Sequence, residues 1–247
     1  MDLNFRKQIM NDFSIGEEKF NSKENIFSSN EPTDDFLFYN RSDFSLICTD
    51  NRVFMRSDNA KLIEKLETTY KDYLGQWFSE ACNIGKLSSI LAEFDMEIDN
   101  FFPLMTYSCN SKPKLNHDFV KIYKDDIGKF KGKTKMSFCF DDDDRLGLAY
   151  YDRLGLAYYD SDMLIALAGA SKSGKYLWDI GFEKFSFDKK YKGIGTEMLL
   201  TISQMIKEEN SEISPFTSTQ FSHTRSINTA IRAGFEMNLC ITGKRNK

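Results

Sequence analysis

Only four prolines and two histidines occur in 247 residues, and the five cysteines, Cys48, Cys82, Cys109, Cys139 and Cys240, lie far apart. With no CxxC pair and no histidine beside a cysteine, neither a disulfide framework nor a zinc site is indicated, and free thiols suit a reducing cytosol. There is no basic excess: 33 Lys and Arg stand against 37 Asp and Glu, a net charge of −4. That balance argues against a protein whose main partner is nucleic acid or an anionic membrane. The longest apolar run, MLIALAGA at 163–170, is far short of the roughly 20 residues of a membrane span. The first 35 residues are rich in Asn, Ser, Asp, Glu and Lys and lack the apolar run of a signal peptide. A cytoplasmic protein with small-molecule partners is expected.

Hydrophobic residues make up 41% of the chain and aromatic residues 14%, enough for a real core. FSLICT and RVFM are strand-like, and Ala60, Leu62, Ile63, Leu66, Tyr70, Tyr73 and Leu74 recur at helical spacing. A weaker helical pattern runs from Leu87 to Ile98, and a polar stretch with Pro113 then suggests a boundary between an N-terminal α+β region, 1–117, and a second domain, 118–247. In the second, KMSFCF, MLIALAGA and KYLWDIGFEKFSF read as strands. Ile194, Met198, Leu199, Ile202, Met205 and Ile206 mark an amphipathic helix, Pro215 an extended segment, and residues 226–233 a further helix.

DRLGLAYY at 144–151 is repeated at 152–159. Two copies cannot build a solenoid, and an even repeat preserves the face of every side chain, so either copy can pair with the next strand. The DDDD run reads as a solvated turn. The alternating Lys129, Lys131, Lys133 and Lys135 read as a charged strand face, and Trp77, Phe78, Phe101 and Phe102 as core.

Two glycine-bearing stretches compete for a phosphate. GASKSGKY at 169–176 is one residue from a P-loop, but Tyr176 replaces the magnesium-binding Ser or Thr and a strand follows instead of a helix. It reads as a hairpin turn. KKYKGIGT at 189–196 follows a strand and opens a helix, where backbone N–H groups and lysines favour an anion. In the preceding strand the apolar residues shift from even positions (Trp178, Ile180, Phe182) to odd ones (Phe185, Phe187), which predicts a β-bulge near Glu183 or Lys184.

A bulged strand, a [R/Q]xxGxG-like loop opening a helix, then a strand and a helix closing in AIRAGF at 230–235 resemble the GNAT superfamily of N-acetyltransferases over residues 118–247. SHTRSINTAIRAGF and WDIGFE are similar to a bacterial subgroup of unassigned substrate. The resemblance implies a mixed, mostly antiparallel α/β fold with a bulged central strand, acetyl-CoA as acetyl donor, no metal, and an amine of a small molecule or peptide as acceptor. It places the cofactor on Phe185, Phe187, Lys190, Tyr191, Lys192, Gly193, Ile194, Gly195, Thr196 and His223. Catalytic expectations fall on Glu183 as base and on Ser226. Where many relatives carry an acidic Tyr, this chain has Ala230, which leaves a non-catalytic acyl-CoA-binding module as the alternative. Edge-strand pairing is compatible with a homodimer. His117 is given no role.

Overall fold

A computed structural model describes residues 1–108, 117–122 and 154–246. The hairpin of β2 (Phe44–Thr49) and β3 (Arg52–Ser57) turns through Asp50 and Asn51, whose φ angles of 51° and 57° are positive. Asp and Asn tolerate that left-handed backbone better than other side chains. Both strands are wholly buried, so alternate residues feed two cores. Leu46 and Met55 pack with Leu62, Leu66 and Leu87 of α3 (Ala60–Tyr70) and α4 (Ala81–Ala92), whereas Ile47 and Phe54 pack on the opposite face. Asn59 caps α3 by accepting from the Lys61 and Leu62 amides.

The helical pattern expected to reach Ile98 ends at Ala92, because Asp95 turns the chain at φ 56° and Met96 begins the long strand β4 (Met96–Tyr107). The first segment also holds more than its polar composition suggested. Asp2 caps α1 (Leu3–Asp12), which lays Phe5 and Ile9, with Phe13 at its C-cap, into a core with Phe54, Leu177 and Phe216. A short helix α2 (Glu17–Asn21) and strand β1 (Ile26–Ser29) follow.

After these come β5 (Val120–Ile122), β6 (Leu154–Asp160), β7 (Met163–Lys172), β8 (Leu177–Lys184), α5 (Ile194–Glu209), β9 (Ser214–Ser218), α6 (Thr224–Arg232) and β10 (Phe235–Arg245). Among the described residues one sheet runs β1-β3-β2-β10-β4-β9-β8-β7-β6-β5. Its pairs are antiparallel except β1 with β3 and β8 with β9. The fold is thus mixed α/β with a mostly antiparallel sheet, as expected. Strands from the two sides of residue 117 alternate in it: β10 lies between β2 and β4, and β9 follows β4. The second copy of DRLGLAYY supplies β6. The first copy, the DDDD run, the 129–135 lysines, KMSFCF, Cys109 and Cys139 lie outside the described residues.

No described helix is long and apolar enough to cross a membrane, and no described group of three His, Cys, Asp or Glu side chains is placed to hold a metal. Phe78 and Phe102 are buried as expected, but Trp77 is exposed and Phe101 packs on the ring of Phe221.

Candidate functional site

The sheet opens between its two central parallel strands. β8 and β9 pair from Leu177 opposite Ser214 to Asp179 opposite Phe216, and there the pairing stops. β9 continues against β4 as far as Ser218, and β8 continues against β7 as far as Lys184. At the parting, the Thr217 hydroxyl donates to the Ile180 carbonyl at 2.8 Å. The Phe185 amide donates to Ile165 of β7, so by the alternation of an antiparallel ladder the odd residues of β8 bond β7 and the even ones face the gap. The main chain of Phe182 is therefore turned toward the opening.

The expected bulge is absent from the β7–β8 ladder, which keeps one register from Lys172 opposite Trp178 to Ala166 opposite Lys184. The phase change has another cause. Trp178, Ile180 and Phe182 pack beneath α5, while Phe185 packs on the other face with Leu167 and Ile122. The buried face switches along an unbroken strand, and only the β9 side lets go.

GASKSGKY joins β7 to β8 as the expected hairpin turn: the Ser173 and Gly174 amides donate to the Leu177 carbonyl, and the exposed Lys175 lies 3.7 Å from Asp35. No helix follows it, so it is no P-loop. KKYKGIGT makes a 3-10 turn over Lys189–Tyr191 and then enters α5 through Gly193 at φ 97°. The turn uses its own first amides: Lys190 donates to the Asp188 carboxylate, Tyr191 to the Asp188 carbonyl and Lys192 to the Lys189 carbonyl. The first helical bond is from Glu197 to the Gly193 carbonyl, and no side chain caps the helix. The amides of Ile194, Gly195 and Thr196 therefore have no partner within the helix and point out of its positive end.

The two glycines serve different needs. Gly193 is exposed and supplies a backbone angle that L side chains rarely adopt. Gly195 is buried, and a Cβ there would stand 2.9 Å from the Phe182 ring and 3.2 Å from Thr229. Its missing side chain lets α5 approach β8 and α6. Lys190 and Tyr191 are also occupied: the Lys190 ammonium and the Tyr191 hydroxyl each lie 2.6 Å from Asp160, and Lys184 donates to the Tyr191 carbonyl. These bonds hold the Asp160 carboxyl below its ordinary range and leave Lys189 and Lys192 as the freer cations of the turn.

On the opposite face, sequence reasoning missed Asp179. It lies at the last paired position, beside Tyr39 of the segment between β1 and β2, whose hydroxyl is 2.7 Å from Ser218 at the end of β9. Burial raises the Asp179 carboxyl to about 7, against the Ile180 amide that stabilises its charge. Burial and then the Asp179 charge push the Tyr39 hydroxyl up. Glu183 shares the face of Asp179, but four residues at roughly 3.3 Å each carry it beyond the parting, where it is half-buried opposite Leu167 of β7.

At the start of α6, His223 is exposed, with Nδ1 3.3 Å from the Thr219 hydroxyl, and Ser226 is half-buried. Phe187 is 72% exposed, with Lys184 and Arg225 over its ring at 5.8 and 6.0 Å. A residue given no role also arrives here. His117 Nδ1 lies 2.9 Å from Glu197 in the first turn of α5, with its ring against Tyr158.

No protein-family profile matches this chain, and no curated protein is similar to it at a significant level. Among solved structures it is similar to a GNAT-family acetyltransferase from Colwellia psychrerythraea, at 10% identity and a TM-score of 0.43, covering 61% of this chain and 57% of that one. A GCN5-related N-acetyltransferase from Kribbella flavida gives 12% and 0.41, covering 65% and 64%. A GCN5-related N-acetyltransferase-like protein from Streptococcus suis gives 10% and 0.39, covering 85% and 87%. The chain thus spans under two thirds of the first two. The likeness is loose at these scores.

Proposed function

We propose that this chain is an acyltransferase that moves an acetyl group from acetyl-CoA to a primary amine of a small molecule or peptide. The observation that carries the reading is the parting of β8 from β9 next to an uncapped helix that begins at a left-handed glycine. An extended amide-bearing arm fits the gap, where the Phe182 main chain offers a donor and an acceptor. A diphosphate suits the amides of residues 194–196, with Lys189 and Lys192 nearby and His223 at the start of α6. When bound, acetyl-CoA supplies an acetyl group already activated as a thioester.

The protein's part is then to align the amine, exclude water and accept a proton. Asp179, at the inner end of the gap and poised near neutrality by burial, suits the last task better than Glu183, which lies beyond it. Ala230 is buried in α6 and carries no proton donor. This favours the alternative of a binding module only if no other group protonates the leaving thiolate. Release of free thiol from acetyl-CoA with a panel of primary amines tests the enzyme. Asp179→Asn should lower that rate by roughly 10²–10⁴-fold while calorimetry finds acetyl-CoA affinity nearly unchanged. Tight binding without thiol release would select the module, and absence of binding would sink both.

A further inference from the structure

A cavity of about 260 Å³ lies away from the parting, where the β2–β3 turn, the α3–α4 connection and the loop after β9 meet over β10. Its walls are pinned together. The Gly75 amide donates to the Asn51 carbonyl and the Gln76 amide to the Asn51 side chain, which locks the α3–α4 connection onto the hairpin turn. The floor is apolar, made by Met237 and Leu239 of β10 with Phe221, whose ring rests on Phe101 at 5.0 Å. Phe221 and Met237 are 36% and 54% exposed, a high exposure for large apolar groups lining a cavity.

The rim is polar, with Gln76 and Ser79, and Asp50 is the one charged residue in the lining. The cation nearest in sequence, Arg52, feels the Asp50 charge, but its guanidinium makes its hydrogen bonds to the carbonyls of Phe20 and Glu24 and lies over the Phe20 and Phe54 rings. An acidic residue at the rim of an aromatic and aliphatic floor suits a small organic cation with an apolar body. The volume, just under the usual range of about 300 to 1,000 Å³ for small-molecule sites, suits a compact one.

We propose that this cavity binds a small aromatic or aliphatic amine, with the ammonium on Asp50 and the apolar part against Phe221, Met237 and Leu239. The inference goes beyond the acyl-transfer reading and stands without it. Phe221 belongs to the loop that leads from β9 to His223 and α6, so an occupant there touches that loop.

Tyramine serves as the probe, with its neutral analogue tyrosol and the anionic 4-hydroxyphenylacetate as controls, and no acyl donor present. The Met237 methyl resonance of the full chain should shift saturably with tyramine, less with tyrosol, and not with the acid. Asp50→Asn, which keeps a residue tolerant of φ 51°, should weaken tyramine roughly fivefold, and Phe221→Ala should weaken tyramine and tyrosol alike. No saturable shift, equal binding of the acid, or full affinity in Asp50→Asn would each overturn the proposal. Thiol release from acetyl-CoA scores the transfer reading separately.

Discussion

Replacing Asp179 by Asn should make the folded protein more stable at neutral pH while impairing the proposed reaction. The carboxyl titrates at about 7 in the folded chain against an ordinary value of 3.8, with burial as the cause. Between those values the folded state holds a proton that the unfolded state has lost, so stability falls as pH rises through that window and is fully reduced above it. A shift of that size corresponds to about 4 kcal/mol. Solvent reaching the half-buried residue lowers this, and a gain of about 1 to 3 kcal/mol is expected from removing the charge. Asn keeps the size and can still accept from the Ile180 amide, so packing changes little. Urea unfolding of both proteins from pH 4 to 8.5 reads the difference. It should be near zero at the acid end, grow through pH 5 to 7 and level off above. Asp12, which burial raises to about 6, slopes both curves equally and cancels. A difference constant within about 0.5 kcal/mol across the range would refute the assignment of a buried, reluctantly charged Asp179.

Gly193→Ala should cost about 1–2 kcal/mol in thermal denaturation through backbone strain at φ 97°, since the new methyl would meet only Glu197 Oε1, at 4.0 Å. Gly195→Ala, by contrast, should cost about 1–3 kcal/mol by overpacking against the Phe182 ring, and a Phe182→Leu second change should restore part of it. Asp160→Asn removes the common partner of Lys190 and Tyr191. Hydrogen exchange at residues 189–192 should quicken with little change in melting temperature. Lys175→Ala should leave stability within about 0.5 kcal/mol and leave any nucleotide affinity unchanged, as measured by calorimetry, because its turn lacks the helix of a phosphate loop.

Patterns of short range were legible in the residues themselves. Strand-like apolar runs mark β2, β3 and β7, period-two alternation marks β8, helical spacing marks α3 and α5, and the difference between the two glycine stretches follows from what each precedes, a strand or a helix. These features depend on a residue and its near neighbours, which the chain order contains. Tertiary structure decided the rest. The insertion of β10 between β2 and β4, the docking of α1, and the strand character of Met96 and Ile98 come from partners far along the chain. The shift from Phe182 to Phe185 looked like an extra residue, yet it records which face another element covers, and local alternation cannot separate the two. That a glycine-bearing turn at 189–196 opens a helix was readable, but not that its first amides are spent on its own turn or that Gly195 answers to packing. Asp179 was invisible for the same reason. A carboxyl between Trp178 and Ile180 is an ordinary residue of an alternating strand until Tyr39, 140 positions earlier, and the end of β9 close over it, and only burial of that kind raises its proton affinity.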